Sequence, residues 1–291
     1  MIIYLNCYKP DSQKTWTKAD YLISAANSLG ISHQIKLYQG EPNPEYIINI
    51  EPFNRFIKGS KWTGIWEIDM TFDRQEMNLS NWIASDMVFV ANSNLPSRME
   101  TYQGPKTLLF QACDPLIHRR ITSIKPQYDF VFSGSNSLEI YKERGRIIKV
   151  LRDNGFSFHD FGKEHPLKEY VEYLNYGRVQ WIRSANKKEV AMSQVEQRFF
   201  ECLAIGPVLK DYHPDLERLN LVEGEDFFWY KNDVEMLGKM RYLLDNPKFA
   251  STMAKKGREK SLQYHSYAHR LVTIINLIKE HDQTLAFGAS Q

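Results

Sequence analysis

The sequence predicts an α/β protein of two halves, each a sheet of parallel strands covered by helices, and three observations carry that prediction. Short apolar runs alternate with segments of helical periodicity over the first 115 or so residues. The alternation begins afresh after a charged, proline-containing stretch, Asp114 to Gln127. A chain of 291 residues is long enough for two domains that each bury a core. Hydrophobic residues at 43% and charged residues at 25% describe an ordinary soluble globular chain. The net charge of +2 neither demands nor forbids a nucleic-acid partner, since a local basic cleft can coexist with a neutral total.

In the first half, strands are expected at Ile2–Cys7, Gln34–Leu37, Tyr46–Ile50, Thr63–Ile68, Met87–Ala91 and Thr107–Gln111, with helices at Ala19–Leu29, Leu79–Ala84 and Leu95–Tyr102. The pattern is Rossmann-like, yet no GxGxxG follows the first strand. Lys9-Pro10-Asp11-Ser12-Gln13 in that turn is no pyrophosphate cradle, which argues against a dehydrogenase. In the second half the order is a strand at Tyr128–Ser133, a helix at Ile140–Asn154, a strand at Ser157–Phe161, a helix at Leu167–Leu174 and a strand at Arg178–Ile182. Asn232 and Glu235 form a capping-box pattern for a helix to Leu244, and helices at Phe249–Tyr264 and Tyr267–Ile278 close the chain. The tail Gln283–Gln291 is expected to be loose.

Between these elements lies the most informative stretch, Ser193 to Lys210. Val195, Phe199, Cys202 and Leu203 have the spacing of one buried helical face. Ser193 with Glu196 reads as its capping box, and Gly206-Pro207 ends it before a short Val-Leu strand. Arg198 and Glu201 then lie roughly 60° apart around the axis, off the apolar stripe. A carboxylate accepts both hydroxyl protons of a ribose and a guanidinium forks onto phosphate oxygens, so the pair suits a nucleotide diphosphate; the competing reading is a surface ion pair.

The run Arg-Phe-Phe-Glu-Cys-Leu-Ala-Ile-Gly-Pro-Val-Leu resembles the donor-site segment of GT-B glycosyltransferases, and most closely the CgeB-like branch of the group 1 enzymes, Arg-x-Phe-Glu-Ala-x-Ala-x-Gly. In the wider group a second Glu stands eight positions earlier, where this chain has Ser193. The resemblance covers Tyr128 to about Lys279. It implies two Rossmann-like domains facing across a cleft, with the last helix crossing back to the first. The expected division is 1–115 for an acceptor domain, 116–127 for a linker, 128–266 for a nucleotide-sugar donor domain and 267–291 for the crossing helix and tail. Phe130-Val-Phe-Ser-Gly-Ser135, with Arg144 eleven residues before Gly155, is similar to the family's strand, loop and helix around the donor diphosphate. The resemblance thus implies Gly134, Ser135, Arg144, Arg198 and Glu201 as donor-binding residues. A Gly-Ser turn ahead of a helix is also an anion site on physical grounds, although Arg144 is equally readable as one of several cations on a solvated helix. Glu223 to Tyr230 resembles the segment near the donor base, its aromatics reading more simply as core.

In the first half, Trp62-Thr-Gly-Ile-Trp66-Glu67-Ile-Asp69 ends a buried strand, and open α/β sheets place ligands beyond such ends. Asp69 resembles the aspartate that faces the transfer centre in phage DNA α-glucosyltransferases, with Glu67 as its rival for a catalytic role and a turn cap as the structural alternative. Trp62, Trp66 and Trp82 either stack on a sugar or base or belong to the core.

The activity these resemblances imply is transfer of a hexosyl or pentosyl group from a nucleotide-diphosphate sugar, UDP-sugar favoured, to a hydroxyl acceptor, with retention and without a metal or other cofactor. The acceptor is a glycan or cell-surface component, or a hydroxylated DNA base, for which Lys58, Lys61, Arg119 and Arg120 would supply a basic rim. The alternative is a catalytically degenerate module that binds nucleotide or glycan. No metal site is expected; His265 and His269 lack a third ligand and read as surface histidines. Cys7, Cys113 and Cys202 carry no CxxC and are expected as reduced thiols. No apolar run approaches a membrane span, and Met-Ile-Ile-Tyr-Leu-Asn-Cys-Tyr is too short for a signal segment, so a cytoplasmic location is expected.

Overall fold

The computed structural model describes residues 1–7, 16–50, 55–67, 75–93, 101–134, 142–162, 165–184 and 194–288. Asp69, Ser135 and Ser193, and most of the helix expected at Leu95–Tyr102, lie outside them.

The first sheet contains β1 (Ile3–Cys7), β2 (Ile35–Leu37), β3 (Tyr46–Ile50), β4 (Trp62–Glu67), β5 (Met87–Val90) and β6 (Lys106–Leu108), ordered β2-β1-β3-β4-β5-β6 with every pair parallel. Successive side chains leave opposite faces of a strand. On β4, Trp62 and Trp66 therefore join one core with helix α1 (Lys18–Ser28), while Ile65 joins Trp82 of α2 (Gln75–Ile83) in another. Trp62, Trp66 and Trp82 are all buried, so they are core.

The second sheet contains β7 (Tyr128–Phe132), β8 (Phe158–Asp160), β9 (Gly177–Ile182), β10 (Val208–Asp211) and β11 (Phe228–Tyr230), ordered β11-β10-β9-β7-β8 and again all parallel. On one face Val131, Ile182 and Val208 pack with α4 (Leu167–Asn175) and α5 (Gln197–Leu203). On the other, Phe130, Phe132, Trp181 and Leu209 pack with α3 (Lys142–Asp153), α6 (Asp233–Asp245) and the start of α7 (Pro247–Tyr264).

The last helix, α8 (Tyr267–Gly288), returns to the first sheet, where Leu271, Ile274 and Ile278 share a core with Ile3, Leu5 and Trp66. Tyr267 stacks on Tyr21 of α1 at 4.9 Å between ring centres, and the Tyr46 hydroxyl donates to Asp282 at 2.7 Å. These are two parallel sheets clothed in helices with a helix crossing back.

Three local expectations are corrected. The helix after Ser193 begins only at Gln197, with Glu196 at its N-cap position, because the Glu196 carboxylate lies 2.9 Å from the buried Lys210 ammonium instead of capping a helix turn. Residues 283–288 are not loose, since α8 continues to Gly288; 289–291 lie outside the described residues. His265 and His269 do not share a helix: α7 ends at Tyr264, and Cys113 pairs with the backbone at the break, its N–H donating to the His265 carbonyl at 3.1 Å. His265 is buried there and not at the surface.

The carboxyl ends of the two sheets face each other. Ser93, just past β5, donates its backbone N–H to Asp215, just past β10, at 2.9 Å, and its hydroxyl bonds the same carboxylate.

Candidate active site

Charged residues stand at or just past the carboxyl ends of β8, β9, β10 and β11, namely Asp160, Arg183, Asp211 and Lys231. Strand β7 runs through Phe132 and Ser133 into Gly134, whose φ of 155° is a left-handed conformation. A side chain there would meet Arg198, since a Cβ on Gly134 would stand 2.7 Å from Arg198 Nη1. Arg144, from the first turn of α3, and Arg198, from the first turn of α5, both lie against the Phe132 ring, at 5.2 and 5.3 Å from its centre. Gly134, Arg144 and Arg198, widely separated in sequence, are thus brought together around one aromatic ring. Arg144 is buried, and its guanidinium is fixed by two bonds to the Arg183 carbonyl at 3.0 and 2.8 Å. Arg198 Nε finds no acceptor among the described residues. Burial works against the charge of Arg198, but Tyr170, Cys202 and Glu201 around it outweigh burial and hold the guanidinium above its ordinary value.

Glu201 does not lie on an open edge; it is 4% exposed. Its oxygens accept from the Tyr170 hydroxyl and from Gln197 Nε2, both at 2.6 Å, and His118 Nε2 stands 3.4 Å away. Desolvation of the partly buried Tyr170, with the Glu201 charge, pushes its hydroxyl well above the usual range and keeps it a donor. His118 in turn reaches Tyr21 of α1 at 3.4 Å, and its Nδ1 accepts from the Asp114 N–H at 3.2 Å. A chain of polar contacts therefore runs from α1 through the linker to the helix that carries Arg198.

Beside it, Lys210 on β10 is wholly buried and bonded to Ser184 Oγ at 2.8 Å, to Asp211 at 3.0 Å and to Glu196 at 2.9 Å. Burial opposes its charge, yet Asp211 and Glu196 keep its pKa raised; Asp211, also opposed by burial, is held low by Lys210 and Arg183. Arg183, first residue past β9, lies 3.9 Å from Asp211. Arg183, Lys210, Tyr170 and His118 were not singled out in the sequence, although a Lys inside the apolar Val-Leu-Lys-Asp strand and an Arg directly after Gln-Trp-Ile were readable signals.

In the first half, Glu67 ends β4 and is buried. Lys58 and Lys61 precede β4 and so lie at the opposite edge of their sheet, with Lys61 paired to Glu45 at 2.8 Å. Phe227 and Tyr230 are buried, as a core reading of the Glu223–Tyr230 segment requires. Among the described residues no group of three or more His, Cys, Asp or Glu gathers as metal ligands, no helix is long and apolar enough to cross a membrane, and the three cysteines form no disulfide.

Residues 117–276, more than half the chain and including the whole cluster around Phe132, match the glycosyl transferase-like family. The chain belongs to that family. No curated protein sequence matches it significantly. Among solved structures it resembles sucrose-phosphate synthase from Thermosynechococcus elongatus, with 10% identity, a TM-score of 0.63, and coverage of 97% of this chain and 99% of that one. It also resembles an α-glucosyltransferase solved with UDP-glucose and DNA containing an abasic site, at 8% identity, a TM-score of 0.64, and 96% and 98% coverage. Anabaena Alr3699/HepE in complex with UDP aligns at 8% identity and a TM-score of 0.59 over 96% and 99% of the two chains. These likenesses establish the GT-B fold over nearly the whole length of this glycosyl transferase-like protein.

Proposed function

We propose that this chain transfers a sugar from a UDP-sugar to a hydroxyl acceptor. The observation that carries the reading is the pairing of Arg144 and Arg198 about Phe132, beside a glycine turn at the carboxyl end of a parallel strand. Two guanidiniums held against one ring and a turn without a side chain form a low-dielectric receptor for a diphosphate, and their charge matters most as the leaving group develops its own. That preorganised charge does the work a divalent ion performs elsewhere, so the proposed reaction is metal-independent. Ser135 would continue the turn with backbone donors. Glu201, with both oxygens already engaged, shapes the donor site by holding Tyr170 next to Arg198, and meets ribose hydroxyls where Gln197 turns aside. From the first domain, Asp69 or Glu67 would orient the acceptor hydroxyl or stabilise positive charge at the anomeric carbon, with retention of configuration.

A glycan acceptor is favoured over a DNA base, because Lys58 and Lys61 stand at the far edge of the first sheet and add nothing to a basic rim at the cleft. The experiment is a panel of nucleotide sugars screened by thermal shift, with donor hydrolysis followed for each ligand. The reading expects a UDP-sugar to raise the unfolding temperature and to hydrolyse slowly without acceptor. Stabilisation without hydrolysis would instead identify a binding module, and absence of any nucleotide effect would refute both.

A further inference from the structure

The opposite edge of the second sheet carries a cavity of about 490 Å³ that the donor reading leaves unused. It opens where β9 begins, at Arg178, and where β10 is about to begin; Arg183, at the other end of β9, is roughly 17 Å away along the strand. Its accessible apolar lining is Pro126, Pro247 and Ala254, over the buried Ile205 and Leu243, and Arg120, Arg178, Lys255 and Arg258 also line it. Among the described residues no carboxylate lines it. Arg178 is paired with Asp129 at 3.2 Å, and Lys255 only loosely with Glu259 at 3.9 Å. The other two cations have no acidic partner among the described residues. Arg120 has a single bond, to the Asn175 carbonyl at 3.3 Å, and Arg258 is fixed by the carbonyls of Pro115, His118 and Ala204 at 2.8–3.1 Å. Partial desolvation lowers the pKa of both, and neighbouring Arg119 lowers that of Arg258 further. The first turn of the 18-residue helix α7 forms one wall, adding its positive end to the same space.

A rigid guanidinium, a second with most of its donors unused, and an exposed ammonium beside an apolar lining suit a molecule with an anionic head and a less polar body. The volume is that of a small-molecule site. We propose that this cavity is a second ligand site, separate from the donor site, for a small organic phosphate such as a nucleoside monophosphate. Its phosphate would sit between Arg120, Lys255 and Arg258, and its body against Pro126, Pro247 and Ala254.

Calorimetric titration of adenosine monophosphate into protein saturated with UDP tests this, with adenosine and an oligothymidylate as parallel probes. The expected result is one site for adenosine monophosphate, negligible binding of adenosine, and affinity lowered about tenfold or more in the double variant Arg120→Glu, Lys255→Glu, whose UDP affinity and unfolding midpoint are unchanged. Both substituted residues are exposed, and Lys149→Glu on α3 is the charge control. No monophosphate binding, equal binding to the double variant, or equal binding of adenosine would overturn the proposal. Oligothymidylate bound far more tightly than the monophosphate would overturn it in favour of a nucleic-acid strand. Failure to bind UDP would count against the donor reading alone, because Arg120-dependent binding of the monophosphate is scored separately.

Discussion

Single residues in this molecule are held by several partners at once, and their removal should therefore show in more than one measurement. Glu201 answers to Tyr170, Gln197 and His118, so Glu201→Gln leaves a donor facing donors inside the protein. Its expected cost is about 1–3 kcal/mol of stability, accompanied by weaker UDP binding as Tyr170 and Arg198 shift. A variant with native unfolding midpoint and native UDP affinity would show that the carboxylate supports neither. His265 gives a pH test. Burial, and then the Arg270 charge, push its pKa down to about 3, below the ordinary 6.5. Between those values the unfolded chain binds a proton that the folded one refuses, so stability is full above pH 6.5 and falls as the pH drops. By pH 5 the loss from this group is about 2 kcal/mol. His265→Phe, which keeps a ring beside Phe200, should lose less stability than the wild type between pH 7 and pH 5 in urea melts; an equal loss would place the acid sensitivity elsewhere.

At the scale of elements, the strands were the most legible part of the sequence. Parallel strands buried on both faces read as apolar runs, and Tyr46–Ile50 is found with its expected bounds. Helix starts were less legible, because a cap depends on what else competes for its side chain. Asn232 does accept from the Glu235 N–H at 2.9 Å, whereas Glu196 is diverted to Lys210. The candidate site was readable as a set of types at spacings, Gly134, Arg144, Arg198 and Glu201, but their depth was not. Helical periodicity places Glu201 off the apolar stripe, yet Tyr170 from α4 and His118 from the linker close over it, and neither contact is local in sequence. The turn after β7 supplies the prediction for this scale. Gly134→Ala places a methyl 2.7 Å from Arg198 Nη1 on a backbone with φ of 155°. It should displace the guanidinium, lower UDP affinity about tenfold and cost about 1 kcal/mol or more of stability. Loss of stability with UDP affinity intact would remove this turn from the donor site.

For the molecule as a whole, two sheets present their carboxyl ends to each other, joined across the gap by Ser93 and Asp215 and tied behind by α8. That layout puts Glu67 at the carboxyl end of the first sheet and the arginines at that of the second, with the cavity at the other edge of the second sheet. The central claim is that the arginine cluster at the head of the second sheet receives a nucleotide diphosphate. Calorimetric titration of UDP into the wild type and into Arg198→Lys tests it most directly, because lysine keeps the charge while losing the two-pronged geometry. Binding by the wild type, weakened about tenfold or more in a variant of unchanged unfolding midpoint, is the predicted result. No UDP binding by the wild type, or equal affinity in the two proteins, would contradict it.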